Sequence, residues 1–539
     1  MTDPRMGYSE RVIALAFVFL RALGLSGQAL ALGGAAVGLF VLLPWLRAEP
    51  ALAGAARRSL ALTAGGAALA LAAQAGSLVL VLVSVADAPG WSLGTVLATP
   101  LVHASLLRLV CGLGTLAAVA AVARAPAARG RRLALLGAAL AFTASAAGTS
   151  HAAARLDGRA ALLGLDALHQ VATAGWVGGL LHLVALVVTR GAQPWPAGAL
   201  AAFSRLALGA VATLAVTGAA LALAYVGALD ALVGTSYGGM LATKLALFAG
   251  LLGLGALNWA AVRRRPPGRA VLPARLRRLV EVEAGLGVTL LFVAASLGSA
   301  PPAVDVVADR ATPAEVLARF TPRWPHLTTP SLAQLEAVSD LDDPLAVRTT
   351  ADIAWSEYNH NVAGLLVLSL GLLAVLDRLA GIGWARHWPL AFLPLSVFLL
   401  LRSDPGSWPL SETETFVEGL TDPEVLQHRV LALLPGALGL FEWLVRTGRL
   451  TAEPWARVFP LLVAAGGGLL LAHAHPLVHV KEAYLMEITH LPLGALGVLA
   501  GWARWLELRL PAREGRIPGR FWPPALVAIG LLLVLYREG

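Results

Sequence analysis

Charge and sulfur are both scarce in this sequence. Of 539 residues only 14% are charged, and Cys111 is the one cysteine. A single cysteine excludes an intramolecular disulfide and a thiolate metal cluster, so any metal chemistry rests on His, Met, Asp or Glu. Methionine is nearly as rare. Met1, Met6, Met240 and Met486 are the whole set, too few for a methionine-rich cuprous relay, so a copper site here has to rest on imidazole. The sequence has no Walker loop and no dinucleotide fingerprint ahead of a strand, so ATP-driven pumping by this chain alone is not expected. A cleaved leader is not expected either. The first apolar run is broken by Arg21 and continues to about Trp45, too long and too poorly terminated for one.

What the sequence has in their place is apolar length. Hydrophobic residues make up 58% and the mean hydropathy is +0.73, values of the membrane class. A membrane helix needs about 20 apolar residues. Such runs centre near residues 30, 72, 110, 142, 175, 214, 250 and 290, then near 368, 394, 435, 465, 497 and 529, those near 394 and 529 being short. The expectation is an all-α polytopic membrane protein with about 14 transmembrane helices in two bundles. An eight-helix bundle over 1–300 and a six-helix, histidine-rich bundle over 353–539 flank a polar stretch, 301–352. That stretch, rich in Pro, Asp and Glu, reads as an extramembrane linker.

Arginine sets the orientation. The net charge is +9, but the basic residues are nearly all arginine in short loops, the pattern of membrane orientation and not of nucleic-acid binding. Arg47, Arg57 and Arg58, the loop from Arg124 to Arg132, and the loop from Arg263 to Arg278 alternate with loops near Asp87 and Asp230 that lack basic residues. Basic loops are cytoplasmic. Arg378 and Arg386, Arg446 and Arg449, and the run from Arg504 to Arg520 continue the alternation. Both termini and the acidic linker then face the periplasm, against the mild opposing signal of Arg5 and Arg11.

On this topology ten of the twelve histidines fall in or near the outer half of the membrane, and His182 and His387 point the other way. A one-sided imidazole cluster points to metal or haem chemistry facing one compartment. The densest run is HAHPLVHVKEAYLMEITH, with His473, His475, His479, Glu487 and His490. Glu487 and His490 are three apart, which on a helix places them on one face. His360 in WSEYNHN and His428 in DPEVLQHR open their helices at the same level, whereas His326 reads as a linker surface residue. In the first bundle His103, His151 and His169 lie at one depth, and Gly175, Gly178 and Gly179 allow a partner helix to approach closely. The bland alternative is interfacial histidines that cap helix ends or bond carbonyls. Lys244 and Glu283 are lone intramembrane charges at different depths, so no direct contact between them is expected.

Four segments of the first bundle are similar to a known family. LHQVATAGWVGGL (Leu168–Leu180), FSRLALGAVATLAVTG (Phe203–Gly218), TSYGGMLATKLAL (Thr235–Leu247) and the segment Leu276–Pro302 resemble, in order and spacing, the copper resistance protein D (CopD) family over about 160–305. The second bundle, with YNHN, LQHR and HAHPL, resembles the C-terminal extension of long members. The resemblance implies a bacterial inner-membrane protein that moves copper or confers copper tolerance. It also implies a separate periplasmic carrier of the CopC type, since the chain shows no attached domain of that kind. The resemblance does not say which histidines bind copper or in which oxidation state. The sequence therefore supports a non-enzymatic copper transporter first. A haem-binding electron carrier or metal reductase and a scaffold for assembling a copper enzyme are the alternatives.

Overall fold

The computed structural model describes residues 4–46, 48–50, 52–86, 92–190, 195–263, 269–270, 274–339, 348–410, 415–421, 423–472 and 480–538. His473, His475 and His479, together with Arg47 and the Asp87 loop, lie outside the described residues. Among the described residues thirteen helices are long and apolar enough to cross a membrane, and a shorter apolar helix spans Trp455–Leu471. The architecture is all-α and multi-pass. Among the described residues the strand content is one antiparallel bridge, Trp195 opposite Ala270 and Pro196 opposite Arg269.

Every apolar run in the sequence becomes one of these helices. The segments near 394 and 529 reach spanning length as Gly383–Arg402 and Ala512–Val534, each by adding a turn of tighter or broken helix to its apolar core. The first starts as 3₁₀ over Gly383–Ala391, where Pro389 cannot supply a backbone donor. The segment near 465 is the short one.

The chain divides into two compact units. The N-terminal unit comprises residues 13–232 and 240–307; the C-terminal unit comprises 308–539 with 1–12 and 233–239. In the N-terminal unit the Pro4–Ala36 helix passes into a π-helix, Val37–Leu42, and a 3₁₀ turn at Pro44. It crosses the Arg159–Arg190 helix backbone to backbone. A Cβ on Gly33 would stand 2.6 Å from the Cα of Gly178, so neither position tolerates a side chain. Gly178 thus makes the close approach that its sequence allowed, while Gly175 faces open space.

The C-terminal unit packs by the same device. The Thr350–Arg378 helix lies along Trp522–Val534 through Gly364, Gly371 and Gly530, and Val458–Leu471 lies along Val480–Arg509 through Gly467 and Gly494. Between these pairs sits a core of Leu370, Ala374, Trp388, Phe459, Ala500, Trp522 and Leu526. Much of 308–339 belongs to this unit. The Pro313–Phe320 helix starts with a full capping box, Thr312 and Glu315. Ala311 packs with Tyr484 and Leu485, and Glu315 pairs with Lys481 at 2.6 Å. Lys481 and the Thr312 cap hold the Glu315 carboxyl down at about 2.

At one end of the unit a buried charge network joins four helices. Arg446 bonds Glu442 (2.9 Å) and Asp377 (2.6 Å), and Glu507 takes hydrogen bonds from Arg504 (2.6 Å), Arg378 and the Trp522 indole (2.6 Å). The opposite end carries His360, His490 and the segment Tyr536–Glu538.

Candidate functional site

Two of the sequence-selected histidines meet in the C-terminal unit. His360 is in the third turn of Thr350–Arg378 and His490 in the third turn of Val480–Arg509; their ring centroids are 5.7 Å apart at 78°. Each ring is anchored by its own helix. His360 Nδ1 lies 2.9 Å from the Ser356 carbonyl oxygen, and His490 Nδ1 lies 2.8 Å from that of Met486. A carbonyl only accepts, so Nδ1 carries the proton in both and Nε2 keeps its lone pair. That is the arrangement in which a protein fixes the tautomer of a metal-ligating imidazole. With an N–metal bond of about 2.0 Å, two imidazoles sharing an ion have centroids roughly 6 Å apart. The observed separation is close to that.

The surroundings are polar and organised. The Tyr536 ring, 3% exposed, stacks on His360 at 3.9 Å and stands edge-on to His490 at 5.6 Å. Its hydroxyl donates to Glu538 at 2.6 Å, and Ser356 donates to the same carboxylate. Burial and the Glu538 charge raise the Tyr536 hydroxyl, which stays a phenol at neutral pH. Arg348 pairs with Glu538 and points one N–H at the Met486 sulfur, 3.0 Å away. Asn361 pins the segment by donating to the Leu533 and Tyr536 carbonyls. One helical turn before His490, Glu487 is 4% exposed and its Oε1 has no partner among the described residues. Its carboxyl shares a hydrogen bond with Ser236. His326 bonds Glu357 at 3.1 Å, and Glu357 also accepts from the Glu538 backbone.

The other selected residues lie elsewhere. His428 pairs with Asp404 at 2.5 Å. In the N-terminal unit His103 is exposed, His151 stands edge-on to Tyr225, and His169 shares a hydrogen bond with Thr217 at 3.0 Å. Burial, then the nearby Arg21 charge, lowers His151, which is neutral at pH 7. Among the described residues no three His, Cys, Asp or Glu side chains converge on one metal position. The Arg159–Arg190 helix is continuous, so His182 stays apart from the outer histidines. It is fully buried, between Ser59 Oγ (2.8 Å) and the Leu30 carbonyl (2.9 Å). Glu283 accepts from Asn258 at 2.7 Å, while Lys244 is an electrostatic neighbour of His169 and Asp166. Sequence reasoning missed Tyr536, Glu538 and Arg348; only the crowding of polar residues at an apolar helix end marks them.

The family comparison falls mostly in the N-terminal unit. No solved structure matches the chain. It is 31% identical over 159 residues to the copper transport protein CutJ of Bacillus subtilis (strain 168), a stretch covering 28% of each protein. The chain thus spans little more than a quarter of that curated relative. Residues 197–297, which hold Thr217, Lys244, Asn258 and Glu283, match the family model for copper resistance protein D.

Proposed function

We propose that this protein handles copper in a bacterial inner membrane, taking a copper ion at the outward end of the C-terminal bundle through His360 and His490 and moving it across. The observation that carries this reading is the imidazole pair itself. Two anchored rings 5.7 Å apart keep their Nε2 lone pairs for a metal ion. Imidazole suits copper, zinc and iron alike; the match to copper resistance protein D and the likeness to a copper transport protein favour copper. Copper is then a substrate, delivered by a separate periplasmic carrier, and the chain is a transporter and not an enzyme. His473, His475 and His479 are the candidates for the first encounter.

A single ion fits the pair better than a haem. A macrocycle between the two rings has to share their surroundings with the Tyr536 ring, 3.9 Å from one and 5.6 Å from the other. Metal analysis and an optical spectrum of the purified protein test the proposal. The double variant His360→Ala/His490→Ala is expected to lose one copper equivalent and keep its helical content, while His428→Ala keeps its copper. Unchanged copper in the double variant refutes the assignment, and a Soret band in the wild type replaces it with the haem reading.

A further inference from the structure

The N-terminal unit holds a cavity of about 240 Å³ that the copper reading leaves unused. Its walls include two guanidinium groups, Arg21 and Arg108, and the polar side chains of Gln74, Ser105 and Gln170. Both arginines come from membrane-length apolar helices, Leu15–Trp45 and Pro100–Arg124, where an uncompensated cation costs about 3 kcal/mol on insertion scales. Compensation inside the unit is incomplete. Arg108 is 6% exposed. It donates to Gln28 at 2.7 Å and lies 5.5 Å from the Phe142 ring centre, and its Nε has no partner among the described residues. Arg21 donates to the carbonyls of Gly298 and Thr149. Asp166, in electrostatic reach of Arg21, already accepts from Gln170 at 2.9 Å. The Arg21 and Arg108 guanidinium groups repel each other.

We propose that this cavity binds a phosphate oxyanion between Arg21 and Arg108. The planar forks of two guanidiniums match the oxygens of a tetrahedral anion, and Arg108 holds an unused donor. The volume equals that of about eight waters at roughly 30 Å³ each, which accommodates a phosphate group with part of its hydration. A copper cation is repelled by the same charges, so the cavity is not a copper site. Free phosphate and the headgroup of an anionic phospholipid present the same chemistry.

Thermal unfolding of the full-length, delipidated protein in neutral detergent separates these sources. Inorganic phosphate is titrated against chloride at equal ionic strength, and phosphatidylglycerol against phosphatidylcholine in mixed micelles. A bound anion is expected to raise the wild-type midpoint by about 3 °C or more. The rise should shrink in Arg108→Lys, which keeps the charge but loses the planar fork, and vanish in Arg108→Gln, with circular dichroism as the fold check. A response to inorganic phosphate identifies a free anion, and a response to phosphatidylglycerol alone identifies a headgroup. No rise with either, or an undiminished rise in Arg108→Gln, overturns the proposal; should that variant not fold, Arg21→Gln is read the same way.

Discussion

Gly364 ties the packing of the C-terminal unit to its imidazole pair, and Gly364→Ala tests that link. A Cβ at 364 would stand 2.6 Å from the Leu533 carbonyl carbon and closer still to the Val534 amide nitrogen, whereas ordinary contact begins at 3.4 Å. The two helices have to separate by about 1 Å at that level, and overpacking of this kind costs about 1–3 kcal/mol. The Asn361 hydrogen bonds to the Leu533 and Tyr536 carbonyls, 3.2 and 3.3 Å long, are stretched past bonding range, losing about 1 kcal/mol each. The total is about 4 kcal/mol, a fall in unfolding midpoint of roughly 10 °C for a unit of this size. His360 lies one turn from Gly364, so its stacking on Tyr536 opens as well and copper retention falls with stability. Gly466→Ala is the matched control. It lies in the Val458–Leu471 helix with open space around the new Cβ, where alanine gains about 0.5–1 kcal/mol over glycine. Thermal unfolding and metal content measured on both variants decide the matter. A Gly364→Ala protein that melts with the wild type and keeps its copper refutes the coupling between helix contact and site.

Two further outcomes follow from polar groups outside the imidazole pair. Ser59→Ala leaves Nδ1 of the buried His182 without its donor, because Nε2–H is committed to the Leu30 carbonyl; the expected loss is about 1–3 kcal/mol with copper binding unchanged, read by thermal unfolding and metal analysis. The Glu315 carboxyl, held at about 2 by Lys481 and Thr312, lies below its unfolded value. Its contact is therefore present in full above the ordinary carboxylate range and is lost as pH falls through about 2. Hydrogen exchange of the Thr312 and Glu315 amides should keep its protection from pH 7 to 5, and loss of protection within that window contradicts the assignment.

The helices were legible because a bilayer imposes a length and a composition that show in any single sequence. All fourteen apolar runs correspond to helices, and the spacing of Glu487 and His490 identified a shared helix face before any coordinates. What the sequence could not carry is which faces meet. His360 and His490 are 130 residues apart, and their rings meet around Tyr536, which stacks on one and stands edge-on to the other. His428 has the same local signature as His360, an imidazole at the start of an apolar helix, yet Asp404 takes it. Position along a helix fixes depth but not azimuth. Arg21 entered the sequence reading as an interruption of an apolar run; an intramembrane arginine is itself the signal of a polar partner or cavity, and with Arg108 it marks one.

On the proposed reading the imidazole pair takes a cation, which bears on the force that would drive transport. With no nucleotide-binding motif in the sequence, the energy for the proposed transport comes from the membrane potential, a gradient or trapping of copper in the cytoplasm. A cation moving inward gains about 2.3 kcal/mol per charge per 100 mV, and a tenfold ratio corresponds to about 1.4 kcal/mol. The equilibrium accumulation of copper therefore rises tenfold per roughly 60 mV for a singly charged ion and per roughly 30 mV for a doubly charged one. Proteoliposomes loaded with a copper indicator and held at a series of potassium diffusion potentials measure this slope. The slope reads the charge of the transported species, which neither the imidazole pair nor the family likeness determines. Accumulation that ignores the imposed potential, with the His360 and His490 pair intact, rules out uncoupled cation transport and leaves an accessory role in copper enzyme assembly.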